Sequence, residues 1–173
     1  MRTIKKLTDN RFLNIKEVKQ PERHVNGYQF AERLGKDSVA FICYDKNTKK
    51  FLVNEELKVP TDEFVVGAFG GSLDKDSVMI EIIKDEVKEE AGFTVSREDI
   101  KFVGRMFVST QMNQYCYLYI AFVDQRNQGE KKPENAIEAM ATTKWVDEKG
   151  IMELDEWKAI TILAKAKSLK ILG

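Results

Sequence analysis

The chain has 173 residues, and its 28 Lys plus Arg balance 28 Asp plus Glu, so its formal net charge is zero. That length suits one domain with a sizeable core, and the charge balance gives no electrostatic case for nucleic acid or an anionic membrane surface as partner. No apolar run reaches spanning length and the N-terminus lacks an apolar signal core, so a cytoplasmic protein is expected.

Residues 1–37 read as a strand-rich preface. Arg11–Val18 and Gly27–Leu34 both alternate apolar with polar residues, with Pro21 and Gly27 as punctuation between them. His24 falls in that break and reads as a surface-loop histidine. Ser38–Tyr44 is nearly continuous in apolar residues, the pattern of a central buried strand. Asp45–Thr48 is a turn, and Lys50–Glu55 returns as the hairpin partner. Phe64–Phe69 is a further strand leading to Gly70 and Gly71. Cys43 and Cys116 lie far apart without metal-ligand spacing and read as reduced thiols.

The stretch from Gly70 to Phe93 reads as a glycine pair, a polar turn and one amphipathic helix. Asp76 or Ser77 is the expected N-cap and Gly92 the stop. Met79, Ile83 and Val87 recur every fourth residue as a buried stripe. At roughly 100° per residue, Glu89 and Glu90 straddle the direction of Glu86, so three carboxylates fan over one face. Such a fan repels itself, and a hard divalent cation relieves that repulsion. The (i, i+4) pairs Glu81 with Asp85 and Lys84 with Lys88 are like-charged, so they give an isolated helix no support.

Ile100–Val108 and Tyr117–Val123 are strands flanking a polar loop, Ser109–Tyr115. Gln125–Asn135 is a second polar loop. Lys144–Val146 is a last short strand, and a helix runs from Leu154 with Trp157, Ile160, Leu163, Ala164 and Leu169 as its core stripe. No internal repeat or low-complexity tract is present.

The Gly70–Phe93 stretch resembles the Nudix box, G-x5-E-x7-R-E-U-x-E-E-x-G-U, with U an apolar residue. Gly71, Glu86, Val87, Glu89, Glu90, Gly92 and Phe93 match in register; Ser77 stands in place of the first glutamate and Asp85 in place of the arginine. The resemblance implies an α/β fold, a Nudix-type α/β/α sandwich with a mixed sheet. The preface is similar to that of the ADP-ribose and nucleoside-diphosphate-sugar pyrophosphatase branch. Glu55-Glu56-Leu57-Lys58 stands where that branch has E-Q-x-R, and Phe69–Asp74 where it has P-A-G-x-I-D. The branch implies an N-terminal antiparallel strand extension over residues 1–37, a Nudix domain over 38–173, and a homodimer built through the extension.

By the same resemblance the metal ligands are Gly70, Glu86, Glu89 and Glu90, holding Mg²⁺, with Mn²⁺ as the alternative ion. Glu89 and Glu90 carry catalysis with Glu134, the closest match to a loop acid, and Glu130 and Glu138 remain candidates. Arg33, Glu55, Lys58 and Gly71 are the implied substrate contacts, with Arg33 offered to the partner subunit's substrate. The implied activity is metal-dependent hydrolysis of the pyrophosphate bond of ADP-ribose or a related nucleoside diphosphate sugar. Ser77 and Asp85 motivate a second reading, a nucleotide-sugar sensor that binds without cleaving. Hydrolysis of other nucleoside polyphosphates is the third.

Overall fold

The computed structural model describes residues 1–35, 37–73 and 77–172. The N-terminal strands are β1 (Thr3–Lys6), β2 (Leu13–Gln20) and β3 (Val25–Arg33), and they form an antiparallel meander. Next come β4 (Ser38–Asp45), β5 (Lys50–Lys58), β6 (Glu63–Gly67) and β7 (Phe69–Ser72), and then the helix α1 (Met79–Ala91). The remainder is β8 (Ile100–Ser109), β9 (Met112–Val123), α2 (Ala136–Met140), β10 (Thr142–Val146), α3 (Glu148–Met152) and α4 (Trp157–Ser168). The strands join one open mixed sheet in the order β1-β2-β3-β9-β4-β5-β10, with β6 on β5, β7 on β4 and β8 on β9. This is an α/β arrangement with a mixed sheet and an N-terminal antiparallel strand extension, as the sequence implies.

The centre is the parallel pair β4 and β9, in register from Ser38 opposite Cys116 to Asp45 opposite Val123. Side chains alternate across a strand, and both faces of β4 are covered, which is why its sequence is a continuous apolar run. Val39, Phe41 and Cys43 pack toward α1 with Leu52, Phe69, Ile83 and Val87. Ala40 and Ile42 pack toward α4 with Val53, Leu118, Ile162 and Leu163. Asp45 is fully buried, and its carboxylate accepts the N–H groups of Asn47 at 2.7 Å and Gln125 at 3.2 Å, so it closes the hairpin turn and anchors the chain after β9.

A split in this sheet creates the site. The first half of β4 pairs with β7 (Ser38–Phe41 against Ser72–Phe69) and the second half with β5 (Cys43–Asp45 against Leu52–Lys50). Beyond that point β5 leaves β4 and pairs with β6 instead. A gap therefore opens between β7 and the β5–β6 ribbon.

Several local expectations are corrected. The run Phe64–Phe69 is two strands broken at Ala68, and the supposed loop Ser109–Tyr115 is a tight hairpin whose residues from Met112 onward belong to β9. The first residue of α1 is Met79, and Val78 is its N-cap with no side-chain cap bond, so Ser77 does not cap; Asp76 and Asp74 lie outside the described residues. The last helix starts at Trp157, capped by the Glu156 carboxylate, which accepts the Ala159 N–H at 3.0 Å. Its buried stripe is Ala159, Ile162, Leu163 and Ala166, whereas Trp157, Ala164 and Leu169 are exposed.

Candidate active site

The apolar stripe of α1 sets its rotation. Ile82, Ile83, Val87 and Ala91 are buried against the sheet, and this turns Glu86 and Glu90, one helical turn apart, onto β7. The Glu90 carboxylate accepts the backbone N–H of Gly70 at 3.3 Å. At Gly71 a Cβ would overlap the Glu86 carboxylate, and at Gly70 it would stand 2.7 Å from the Val39 carbonyl oxygen. Gly70 is thus required by the close approach of backbone, whereas a side chain at Gly71 would push the flexible end of Glu86 aside.

The helix ends as its sequence indicates. Gly92 adopts φ 78°, and its N–H and that of Phe93 both turn back to the Val87 carbonyl. The loop after β9 is clasped to this terminus: Gly129 donates to the Gly92 carbonyl and Lys132 to the Glu89 carbonyl, both at 2.8 Å. That clasp carries the acidic segment of α2 toward the carboxylates.

Charge is concentrated here. Burial, and then the neighbouring charges of Glu86, Glu56 and Glu138, push the Glu90 carboxyl up to about 8, with the Gly70 hydrogen bond opposing them. Glu89, Glu90, Glu138 and Lys131 line a space of about 10 Å³, room for one water-sized species. Among the described residues no three acids converge closely enough to wrap an ion as they stand. The donor set nonetheless suits a hard divalent cation, since oxygen ligands that repel one another are what such an ion stabilises. Glu86, Glu89, Glu90 and Glu138 are the side chains within reach of that role.

The gap beside β7 is a cleft of about 280 Å³. Gly70, Gly71 and Ser72 form one wall; Glu56, Gln114 and Trp157 contribute others. Arg33 enters from β3 of the same chain and donates to the Ser72 hydroxyl at 2.5 Å. Arg33 thus lines the cleft of its own chain.

The alternation of β5 divides the other expected contacts. Asn54, Glu56 and Lys58 share one face; Asn54 Nδ2 donates to Glu56 at 3.1 Å and Lys58 pairs with Glu56. Glu55 turns instead to β10, accepting from the Thr142 hydroxyl at 3.0 Å and standing 3.8 Å from Lys144. Glu55 thus does not line the cleft, whereas its neighbour Glu56 does. Counting alternate positions onward from the buried Leu52, through Asn54, is the signal available for Glu56.

In the second loop Glu130 and Glu134 are exposed, and neither lines the space beside Glu89 and Glu90. Glu138 does, and its carboxylate also accepts the Glu134 N–H at 2.7 Å. The two departures from the box, Ser77 and Asp85, are both exposed. Lys84 pairs with Glu81 at 2.8 Å and so supplies no charge in place of the box arginine. His24 is exposed in a left-handed turn with φ 56°. Cys43 and Cys116 are buried free thiols whose pKa values burial raises, so neither is a ready nucleophile.

No known family's sequence profile matches the chain, and no curated protein matches it in sequence. Comparison of structures does find likeness. A solved structure described as an ADP compounds hydrolase superposes with a TM-score of 0.73 at 14% sequence identity, over 96% of this chain and 91% of that one. At that identity the likeness establishes a shared fold, and it extends over nearly the whole chain, strand extension included.

Proposed function

We propose that this chain hydrolyses the pyrophosphate bond of ADP-ribose or a related nucleoside diphosphate sugar, giving a nucleoside monophosphate and a sugar phosphate. The observation that carries the reading is the seating of Glu86 and Glu90 on the Gly70–Gly71 strand, beside a cleft with an arginine at its rim. Glu86, Glu89, Glu90 and the Gly70 carbonyl would hold Mg²⁺, or Mn²⁺ in its place. Such an ion offsets phosphate charge and lowers the pKa of a bound water. Arg33 and the bare backbone at Gly71 bind and orient the diphosphate. Glu138, in preference to Glu134, stands where a carboxylate could accept a proton from the attacking water. Lys58 is already paired to Glu56 and contributes through that carboxylate. The likeness in fold to an ADP compounds hydrolase supports the same substrate class.

The sensor reading rests on Ser77 and Asp85 and on the acids standing apart; it calls for binding without turnover. Residues 1–37 we propose as a dimerisation element, because the outer edge of β1 has no strand partner among the described residues and all four β1 residues are exposed. Light scattering on the purified protein gives a dimer mass on this reading, and a monomer mass refutes it. No helix of the described residues is long and apolar enough to cross a membrane.

The test is a panel of nucleoside diphosphate sugars, dinucleoside polyphosphates and nucleoside triphosphates, incubated with Mg²⁺ and with chelator. Nucleoside monophosphate released from ADP-ribose, and none with chelator, supports the proposal. Tight ADP-ribose binding without product from any compound supports the sensor instead.

A further inference from the structure

Concave surface does not end where the cleft meets Arg33. The same side chain also lines a basin of about 390 Å³ on the N-terminal sheet, shared with Lys6, Arg11, Lys16 and Glu32. The β2–β3 ladder assembles this basin. Arg33 stands opposite Leu13, and the Leu34 N–H donates to the Phe12 carbonyl at 2.8 Å, so the turn before β2 lies against the end of β3. Asn14 fixes that turn: its Oδ1 accepts the Asn10 N–H and its Nδ2 donates to the Asn10 carbonyl, both at 2.8 Å. Arg11 is therefore presented by an anchored segment.

Two of the four cations around the basin are matched locally, Lys6 by Asp9 and Lys16 by Glu32. Arg11 and Arg33 are not, since among the described residues neither guanidinium pairs with a carboxylate. Arg11 lies 4.8 Å from the centre of the Phe12 ring, a contact that orients the charge without cancelling it. Arg33 donates to the neutral Ser72 hydroxyl and has further N–H groups to offer. In a chain of zero net charge, two unmatched guanidiniums on one concave surface are a local excess. A single exposed ion pair contributes little, whereas a guanidinium fork gripping a phosphate through two parallel bonds is the strong case.

We infer that this basin binds a phosphate group that the substrate carries beyond its scissile diphosphate. The inference rests on the nucleotide-substrate reading above and extends it to the charge of the substrate. Ser72, to which Arg33 is bonded, directly follows Gly71, roughly 3.3 Å along the strand. A diphosphate on Gly70 and Gly71 and an oxyanion in the basin thus flank one guanidinium. That continuity favours one ligand reaching into both spaces over a separate anion. ADP-ribose has no further phosphate to place there. A nucleotide with a phosphate on its ribose, or with a longer phosphate chain, does. Arg11 is on this account the residue that tells such nucleotides from ADP-ribose.

Calorimetry without metal compares ADP-ribose with ADP-ribose 2′-phosphate, diadenosine tetraphosphate and inorganic phosphate. At least one of the two more highly phosphorylated nucleotides is expected to bind about tenfold more tightly than ADP-ribose. Which of them does so separates a ribose phosphate from a longer chain. Arg11 is exposed, so Arg11→Ala is expected to keep the wild-type melting curve and the wild-type affinity for ADP-ribose while losing the tenfold advantage. Arg11→Glu adds a repelling carboxylate and is expected to bring the more highly phosphorylated nucleotide below ADP-ribose. Equal affinities in the wild type overturn the inference, as does an advantage that survives in folded Arg11→Ala. Arg11-dependent binding of inorganic phosphate with no advantage for either nucleotide marks an anion site unconnected to the substrate, and overturns it too. ADP-ribose turnover without the advantage overturns the inference and leaves the hydrolase reading standing. An Arg11-dependent advantage in a protein with no turnover supports the inference and sinks the hydrolase reading alone.

Discussion

The Glu86 carboxylate fills the space that any side chain on Gly71 would need. The glycine pair and the acidic helix are consequently coupled: the acid can sit on the strand because the strand is bare at Gly71. Gly71→Ala must displace Glu86 while leaving the buried stripe of α1 untouched. We expect divalent-ion affinity and turnover to fall about tenfold or more, with little change in thermal midpoint. Calorimetry with Mn²⁺ and a melting curve on the same sample check both halves.

Glu90 gives a pH signature. Its carboxyl is pushed up to about 8 in the folded protein from an ordinary 4.5, first by burial and then by Glu86. Between those values the folded chain holds a proton that the unfolded chain has released. The contribution of this group to stability therefore falls as pH rises from about 4.5 to about 8. Urea midpoints of the metal-free protein should decline across that window, and Glu90→Gln should flatten the decline. Divalent-ion binding below about pH 8 should also release a proton, visible as a buffer-dependent heat.

Glu138 and Glu134 can be told apart directly. Glu138→Gln should lower kcat about a hundredfold without shifting the melting curve, and Glu134→Gln should leave kcat near wild type. The reverse order would restore Glu134 as the loop acid.

Much of this arrangement is legible in one local stretch. The Ile83 and Val87 stripe, the Gly92 stop and the Glu86–Glu90 spacing all lie within a single helix, so helical geometry alone places them. The cleft is a different case, because it exists only where β5 departs from β4, and no short window of sequence contains both strands and β7. Glu55 and Glu56 differ by one residue and hence by a whole sheet face, so the assignment turned on strand register. Gln114 was hidden for a related reason: taken as a loop residue it is one polar side chain among several, and only as part of β9 does it stand among core neighbours. The C-terminal stripe was misplaced because the helix begins at Trp157, capped by Glu156, and not at Leu154.

Gly92 tests the clasp between α1 and the loop after β9. It lies at φ 78°, and a Cβ there would overlap the Gly129 carbonyl oxygen. Gly92→Ala should cost about 1–3 kcal/mol of stability and loosen the loop that carries Glu138. Denaturant unfolding, together with hydrogen exchange at the Gly129 and Lys132 amides, reads both effects.

The most direct measurement is ADP-ribose turnover with Mg²⁺ by the wild-type protein and by Glu90→Gln, with products identified by chromatography. The account predicts AMP and ribose 5-phosphate in equal amounts from the wild type, and a loss of about a hundredfold or more in the variant. No product from the wild type, or equal rates from the two proteins, would contradict it.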